Sequence, residues 1–292
     1  MDQAEKLRNV IKLKNQHQAM TARVITVTSG KGGVGKSNVA VNLAVQMTRL
    51  GKKVLIFDAD FGLANVEVMF GAIPKYNLGD LIYHGKGIRE IITEGPMGIG
   101  FISGGAGIMG LNNLTKDQIM YFIKSLRELD ELADVILVDT GAGISDSVLE
   151  FVMASPEVVL VTTPEPSSLT DSYSLLKTLY RNPNFLREET NIRVLSNRAA
   201  SLEEGKNVYD KLNSVVEQFL DGKIDYLGMI PQDMMLEKSV RQQKPVSINM
   251  PEARSSKAFE VMAVNLLENE HNLPKIRWGI AQVFSDLINR KQ

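Results

Sequence analysis

Gly30-Lys31-Gly32-Gly33-Val34-Gly35-Lys36-Ser37 stands between an apolar β-branched run, Val24–Thr28, and an amphipathic stretch of helical period, Lys36–Leu50. Strand, glycine-rich turn and helix in that order, spaced G-x-x-x-x-G-K-S/T, make a phosphate cradle. The glycines let successive backbone N–H groups converge on phosphate oxygens, and the helix that follows points its positive end at the same anion. Lys36 is expected to bridge β- and γ-phosphates and the Ser37 hydroxyl to ligate Mg²⁺.

Outward from this stretch, apolar runs alternate with helix-length segments. Strands are expected at Val54–Phe57, Ile99–Ile102, Val135–Val138, Val158–Thr162, Ile192–Leu195 and Tyr226–Ile230. Helices are expected near Thr115–Glu131, Ser168–Tyr180, Leu202–Phe219, Met234–Gln242 and Glu252–Glu268. This is how an α/β fold is written: a single P-loop domain with a mostly parallel twisted sheet and helices on both faces. Gly95–Gly110 holds seven glycines and reads as a loop around the Ile99–Ile102 run. Two acidic strand ends suit the metal. Val135–Val138 runs into Asp139, followed by Thr140-Gly141-Ala142-Gly143 as a γ-phosphate-sensing turn, and Val54–Phe57 runs into Asp58-Ala59-Asp60. Leu195-Ser196-Asn197-Arg198 lacks the N/T-K-x-D run of guanine readers, so adenine is the expected base.

The chain has 292 residues, 44% of them hydrophobic, and a net charge of −1. It has no cysteine, which excludes disulfides, thiolate zinc sites, Cys nucleophiles and Cys-held iron–sulfur clusters. His17, His84 and His271 are too scattered for a metal or a triad. Met1–Met20 holds no secretory leader or spanning run of about 20 apolar residues, so a cytoplasmic location is expected. The charge is uneven. Residues 1–23 carry five cations and two anions, residues 274–292 four cations and one anion, each a net of +3, which leaves the body at −7. An acidic body makes nucleic acid an unlikely partner.

Lys31 is not required by an ordinary phosphate loop. With it, Lys31–Ser37 resembles the signature K-G-G-x-G-K-S/T of the MinD/ParA ATPases, the deviant Walker A family. Asp58–Asn65 is similar to the family's D-x-D-x-G-L-x-N segment, Thr162–Ser168 to T-T-x-P-E, and Gly228-Met229-Ile230-Pro231 to G-x-I-P near the adenine. The resemblance covers roughly Arg23 to Glu268. It implies binding of ATP/ADP with Mg²⁺ by Gly30–Ser37, Asn197 and Pro231, with Ser37, Asp58 and Asp139 around the metal. It also implies a homodimer when ATP is bound, in which Lys31 reaches the partner's nucleotide, and hydrolysis with Asp60 orienting the water. Gly141 departs from the family's usual Pro and leaves that turn looser.

Absences sort the family. Nitrogenase-type reductases and iron–sulfur carriers need cysteines, arsenite-pump ATPases carry two P-loops, and the related tyrosine kinases have a tyrosine-rich tail. DNA-segregating ParA, division-site MinD and the flagellar-number ATPases of the FlhG (FleN/YlxH) kind remain. Asp2-Gln3-Ala4-Glu5-Lys6-Leu7-Arg8 is similar to the activator motif of the last group, which docks on the signal-recognition-particle-type GTPase FlhF. On this reading Asp2, Gln3, Ala4, Leu7 and Arg8 contact that GTPase, and flagellar C-ring proteins are further partners.

Residues 1–22 are thus expected to be an N-terminal helical extension, 23–270 the ATPase domain, and 271–292 a linker and C-terminal amphipathic helix. After Pro274, Ile276, Ile280, Val283, Phe284, Leu287 and Ile288 form one apolar stripe. Such a helix either packs on its own domain or lies in a membrane interface. The +3 charge and the place after a Pro linker favour the anionic inner membrane surface, held peripherally in an ATP-dependent way.

Overall fold

A computed structural model of the chain describes residues 21–60, 65–105, 114–268 and 279–289. Eight strands form one sheet: β1 (Arg23–Thr28), β2 (Val54–Ala59), β3 (Thr93–Glu94), β4 (Gly100–Ile102), β5 (Val135–Thr140), β6 (Glu157–Thr162), β7 (Asn191–Ala199) and β8 (Asp225–Pro231). Their order is β3-β4-β2-β5-β1-β6-β7-β8. All neighbours pair in parallel except β3 and β4. β2, β5 and β6 are buried along their whole length, because helices cover both faces. The seven runs read as strands are all strands. The added β3 is a two-residue antiparallel edge with no apolar run to announce it.

The long helices are α1 (Lys36–Arg49), α5 (Lys116–Leu132), α7 (Pro166–Arg181), α8 (Leu202–Leu220) and α11 (Arg254–Glu268). Shorter ones are α2 (Asn65–Phe70), α3 (Leu78–Tyr83), α4 (Ile88–Ile91), α6 (Asp146–Ala154), α9 (Met234–Arg241), α10 (Val246–Asn249) and α12 (Ile280–Asn289). Local chemistry starts them: Thr115 and Gln118 form a capping box on α5, and the Ser201 hydroxyl accepts from the Glu204 N–H on α8. One face of the sheet packs Ile25, Val27 and Leu137 against Leu43 of α1 and Phe259 of α11. The other packs Phe57, Ile136 and Val138 against Phe122 and Leu126 of α5. Beyond β6, Leu160 and Val194 meet Leu176 of α7 and Val216 of α8.

β1 lies between β5 and β6. The chain first travels to one side of it, through β2, and later crosses to the other, through β6, so a crevice opens at the carboxyl ends of β1 and β5. That is where the glycine-rich turn lies.

The C-terminal stripe takes the first of the two covers that the sequence allows, its own domain. Ile280, Val283, Phe284, Leu287 and Ile288 are buried in the core between α5 and α6 and offer no apolar face to lipid in this conformation. The Phe284 ring lies 5.0 Å from Phe57, 5.1 Å from Phe122 and 5.2 Å from Phe151. α12 thus packs on the domain in this conformation. Its start is fixed by Asp130 of α5, whose Oδ1 accepts the Ile280 N–H at 2.9 Å. Gly279 is required there, since a Cβ would overlap the Asp130 carboxylate. Ile276, Pro274 and the whole Asp2–Arg8 segment lie outside the described residues. Among those described, no helix is long and apolar enough to cross a membrane.

Two outcomes follow for α12. Phe284→Ala leaves a cavity among three rings and lowers the unfolding free energy by about 3–5 kcal/mol, read from urea titrations. Burial raises the Asp130 carboxyl from 3.8 to about 6, with the Ile280 and Ala281 N–H groups pulling the other way. A raised acid binds its proton in the docked state before it does in the free chain, so its contribution weakens as pH rises from 4 to 6 and is constant above. Asp130→Asn removes that part of the pH dependence of the melting temperature between pH 4 and 6.5.

Candidate nucleotide site

The turn after β1 is preformed. Gly33 and Gly35 have φ of 76° and 98°, which β-carbon-bearing residues rarely adopt. Asn197, at the end of β7, donates from Nδ2 to the Val34 carbonyl at 2.7 Å. The same nitrogen would lie 2.6 Å from a Cβ on Gly35, so that position needs glycine for space as well as for backbone. Gly35 precedes α1 with no side-chain cap, which leaves the first N–H groups of the helix free for an anion. The second turn is tied to the first: Gly143 N–H donates to the Ser29 carbonyl at 2.9 Å, and Thr140 Oγ1 to the Val27 carbonyl at 3.2 Å.

Beneath the turn, Asp58 and Asp139 are register partners on β2 and β5, and both are buried. Burial raises the Asp139 carboxyl to about 7; the Ser37 hydroxyl and the Lys36 cation oppose that, and Asp60 adds to it. Ser37 lies close enough for that influence, yet neither Asp139 oxygen has a hydrogen-bond partner of good geometry. Asp58 is raised to about 8, by burial first and Asp139 second, against N–H donors from Asp60 at 3.1 Å and Val66 at 3.4 Å. Burial lowers Lys36, while Asp139 and Asp60 pull it up.

Three carboxylates around one buried lysine are under-compensated, and an orphaned carboxylate beside a hydroxyl suits a hard divalent cation. Among the described residues no three acids or histidines converge as a metal cage. Mg²⁺ is typically bound by one or two protein oxygens together with phosphate and water. Ser37 and Asp139 would hold it, with Asp58 beside them.

Lys31 does not join its own phosphate cradle. Its Nζ is 3.1 Å from Glu165 Oε2 and 2.6 Å from Ser167 Oγ, at the start of α7. The pair is largely exposed and so exchangeable at little cost. Asp60 stands at the mouth of the crevice, and its Oδ2 accepts from Asn65 Nδ2 at 3.1 Å. Gly141 faces it across the crevice: a Cβ there would lie 3.5 Å from Asp60 Oδ1. Pro231 ends β8 opposite Ala199, so Asn197 and Pro231 lie at adjacent strand ends beside the turn.

The sequence reading had assigned no role to Glu165, Ser167 or the Asn65 side chain. Glu165 lies 134 residues from Lys31, and no local spacing could reveal that contact. His84, paired with Asp80 at the surface, plays no part in the site. His17 and His271 lie outside the described residues, as do residues 61–64 between Asp60 and Asn65.

Asn197→Ala leaves the Val34 carbonyl without its partner, a loss of about 1–3 kcal/mol. Nucleotide affinity, measured by titrating a fluorescent ATP analogue, falls roughly 5- to 100-fold.

The model of a ParA family described as NUBPL iron-transfer P-loop NTPase matches residues 20–267. The antiactivator FleN of Pseudomonas aeruginosa is 41% identical over 251 residues, 86% of this chain and 88% of that protein. The flagellum site-determining protein YlxH of Helicobacter pylori is 33% identical over 276 residues, 90% and 89% of the two chains. The solved structure of the septum site-determining protein MinD complexed with Mg-ADP, from Pyrococcus horikoshii, shares the fold. Its TM-score is 0.66 at 23% identity, covering 87% of this chain and 100% of that one. The chain lacks the cysteines that thiolate ligation of iron would need. With its glycine-rich turn, acidic strand ends and added lysine in place, the chain belongs to the ParA/MinD family of P-loop NTPases.

Proposed function

We propose that the chain is a slow, switch-type ATPase that pairs with a second copy when ATP and Mg²⁺ are bound, and that it sets the number and placement of flagella. The flagellar role rests on the similarity to FleN and YlxH. The switch rests on one observation: Lys31 sits beside the phosphate cradle yet engages Glu165 and Ser167 instead of it. A cation so placed, on an exchangeable contact, is available to a triphosphate in the other subunit.

In hydrolysis a water oxygen bonds to the γ-phosphorus as the bond to the β,γ-bridging oxygen breaks, giving ADP and phosphate. Lys36 and the α1 N-terminus offset charge on the phosphates, Lys31 adds a cation in trans, and Asp60 orients the water. Bound Mg²⁺ supplies further neutralisation of the β- and γ-phosphates.

The output is a change of surface. The Thr140–Gly143 turn leads into α6, and α6 forms one wall of the slot that holds α12. Movement of this turn on pairing would loosen the slot and free the stripe for the inner face of the membrane. One such helix, partly buried in lipid, supplies about 5 kcal/mol, a weak anchor, and two joined in a dimer raise avidity by roughly 10². Asp2–Arg8 would then serve the FlhF-type GTPase, and C-ring proteins would be reached from the same platform.

The test is co-sedimentation with anionic vesicles, alongside size-exclusion chromatography. ATP shifts the parent to a dimer and to the vesicle pellet, Asp60→Ala prolongs both, and Lys31→Ala abolishes both while nucleotide still binds. Equal vesicle binding with ATP, with ADP and without nucleotide would falsify the coupling. A Lys31→Ala protein that pairs like the parent removes the trans lysine.

A further inference from the structure

Asp60 is held in an unusual way. The first turn of α2 grips both carboxylates on the strand end before it: Val66 N–H donates to Asp58 Oδ2 at 3.4 Å, and Asn65 Nδ2 to Asp60 Oδ2 at 3.1 Å. The Asp60 N–H is itself anchored on Asp58 Oδ1 at 3.1 Å. Asp60 Oδ1 accepts no hydrogen bond from a described residue and faces Gly141. One oxygen is therefore tied down, and the other has no donor among the described residues and faces the turn after β5.

We propose that Asn65 is a positioning residue for hydrolysis, its amide fixing the Asp60 carboxylate so that one oxygen stays free for the attacking water. The inference rests on the assignment of Asp60 to water orientation made above. The physical reason lies in the neighbours. Lys36 and Asp139 both lie within electrostatic reach of Asp60. A carboxylate left free to rotate is drawn toward the lysine cation and away from Asp139. In that pose its oxygens are spent on an ion pair and the water loses its acceptor. A single amide hydrogen bond suffices to choose between the two, since the carboxylate turns on only two dihedrals. Asn65 is half-buried and opens α2, where Asp and Ala remove the donor with and without an added charge.

The experiment compares Asn65→Asp, Asn65→Ala, Asn65→Gln and Asp60→Ala in the full chain with ATP and Mg²⁺. Steady-state hydrolysis, affinity for a fluorescent ATP analogue and melting temperature are measured together. Asn65→Asp keeps the side chain's shape, removes the donor and sets a second carboxylate against Asp60, whereas Asn65→Ala removes the donor without adding charge. Asn65→Asp lowers kcat roughly 10- to 100-fold, as does Asn65→Ala, with KM and nucleotide affinity within about twofold of the parent. Asn65→Gln, which keeps an amide, recovers most of the rate. Parental kcat in Asn65→Asp beside an inactive Asp60→Ala overturns the inference alone. So does a loss in Asn65→Asp matched by equal losses of affinity and melting temperature, which a merely structural role would give. Parental hydrolysis by Asp60→Ala removes the role of Asp60 and the inference with it.

Discussion

Two acids on adjacent strands, Asp58 and Asp139, share a buried position with one lysine for company. Charge held out of water is costly unless it is matched, and here burial pushes both carboxyls up to about 8 and 7 while it pushes Lys36 down. The strand register puts these residues side by side, and the order of strands puts them under the turn after β1. Carboxyls raised in this way hold protons in part near neutral pH, and a cation bound together with a polyanion would take the place of those protons.

From that centre the connections run outward through short hydrogen bonds. Ser29 and Gly143 join the turn after β1 to the turn after β5, and Asn197 joins the first of these to β7. The second turn continues into α6, whose Phe151 touches Phe284 of α12. The turn after β5 and the C-terminal helix are thus joined by a run of packed side chains.

Much of this was written locally. The cradle, Asp139, the Asp58/Asp60 pair and the strand runs could be read because each is a contiguous signal with its own periodicity. What escaped needed the fold. Lys31 meets Glu165 because β1 and β6 are neighbours, and the loops after neighbouring parallel strands face each other. Asn65 was visible as the end of a motif, but its bond to Asp60 depends on how the chain turns back at α2. α6 was missed because nine mostly apolar residues give too short a window to separate helix from loop. The stripe on α12 was read correctly as a stripe. Both covers were open on the sequence, since an amphipathic face is the same pattern whether protein or lipid lies on it; in this conformation the slot between α5 and α6, with the Asp130 carboxylate at its mouth, supplies the protein one.

The way α12 fills that slot carries a mechanical consequence. Phe57, Phe122 and Phe151 all rest against one ring, so detaching the helix uncovers three aromatic surfaces at once. Exposing that apolar area to water is costly, so the undocked body would lie above the docked one in free energy. Any surface that took the helix would have to offset the free energy of that lost burial, and without one the docked state is favoured.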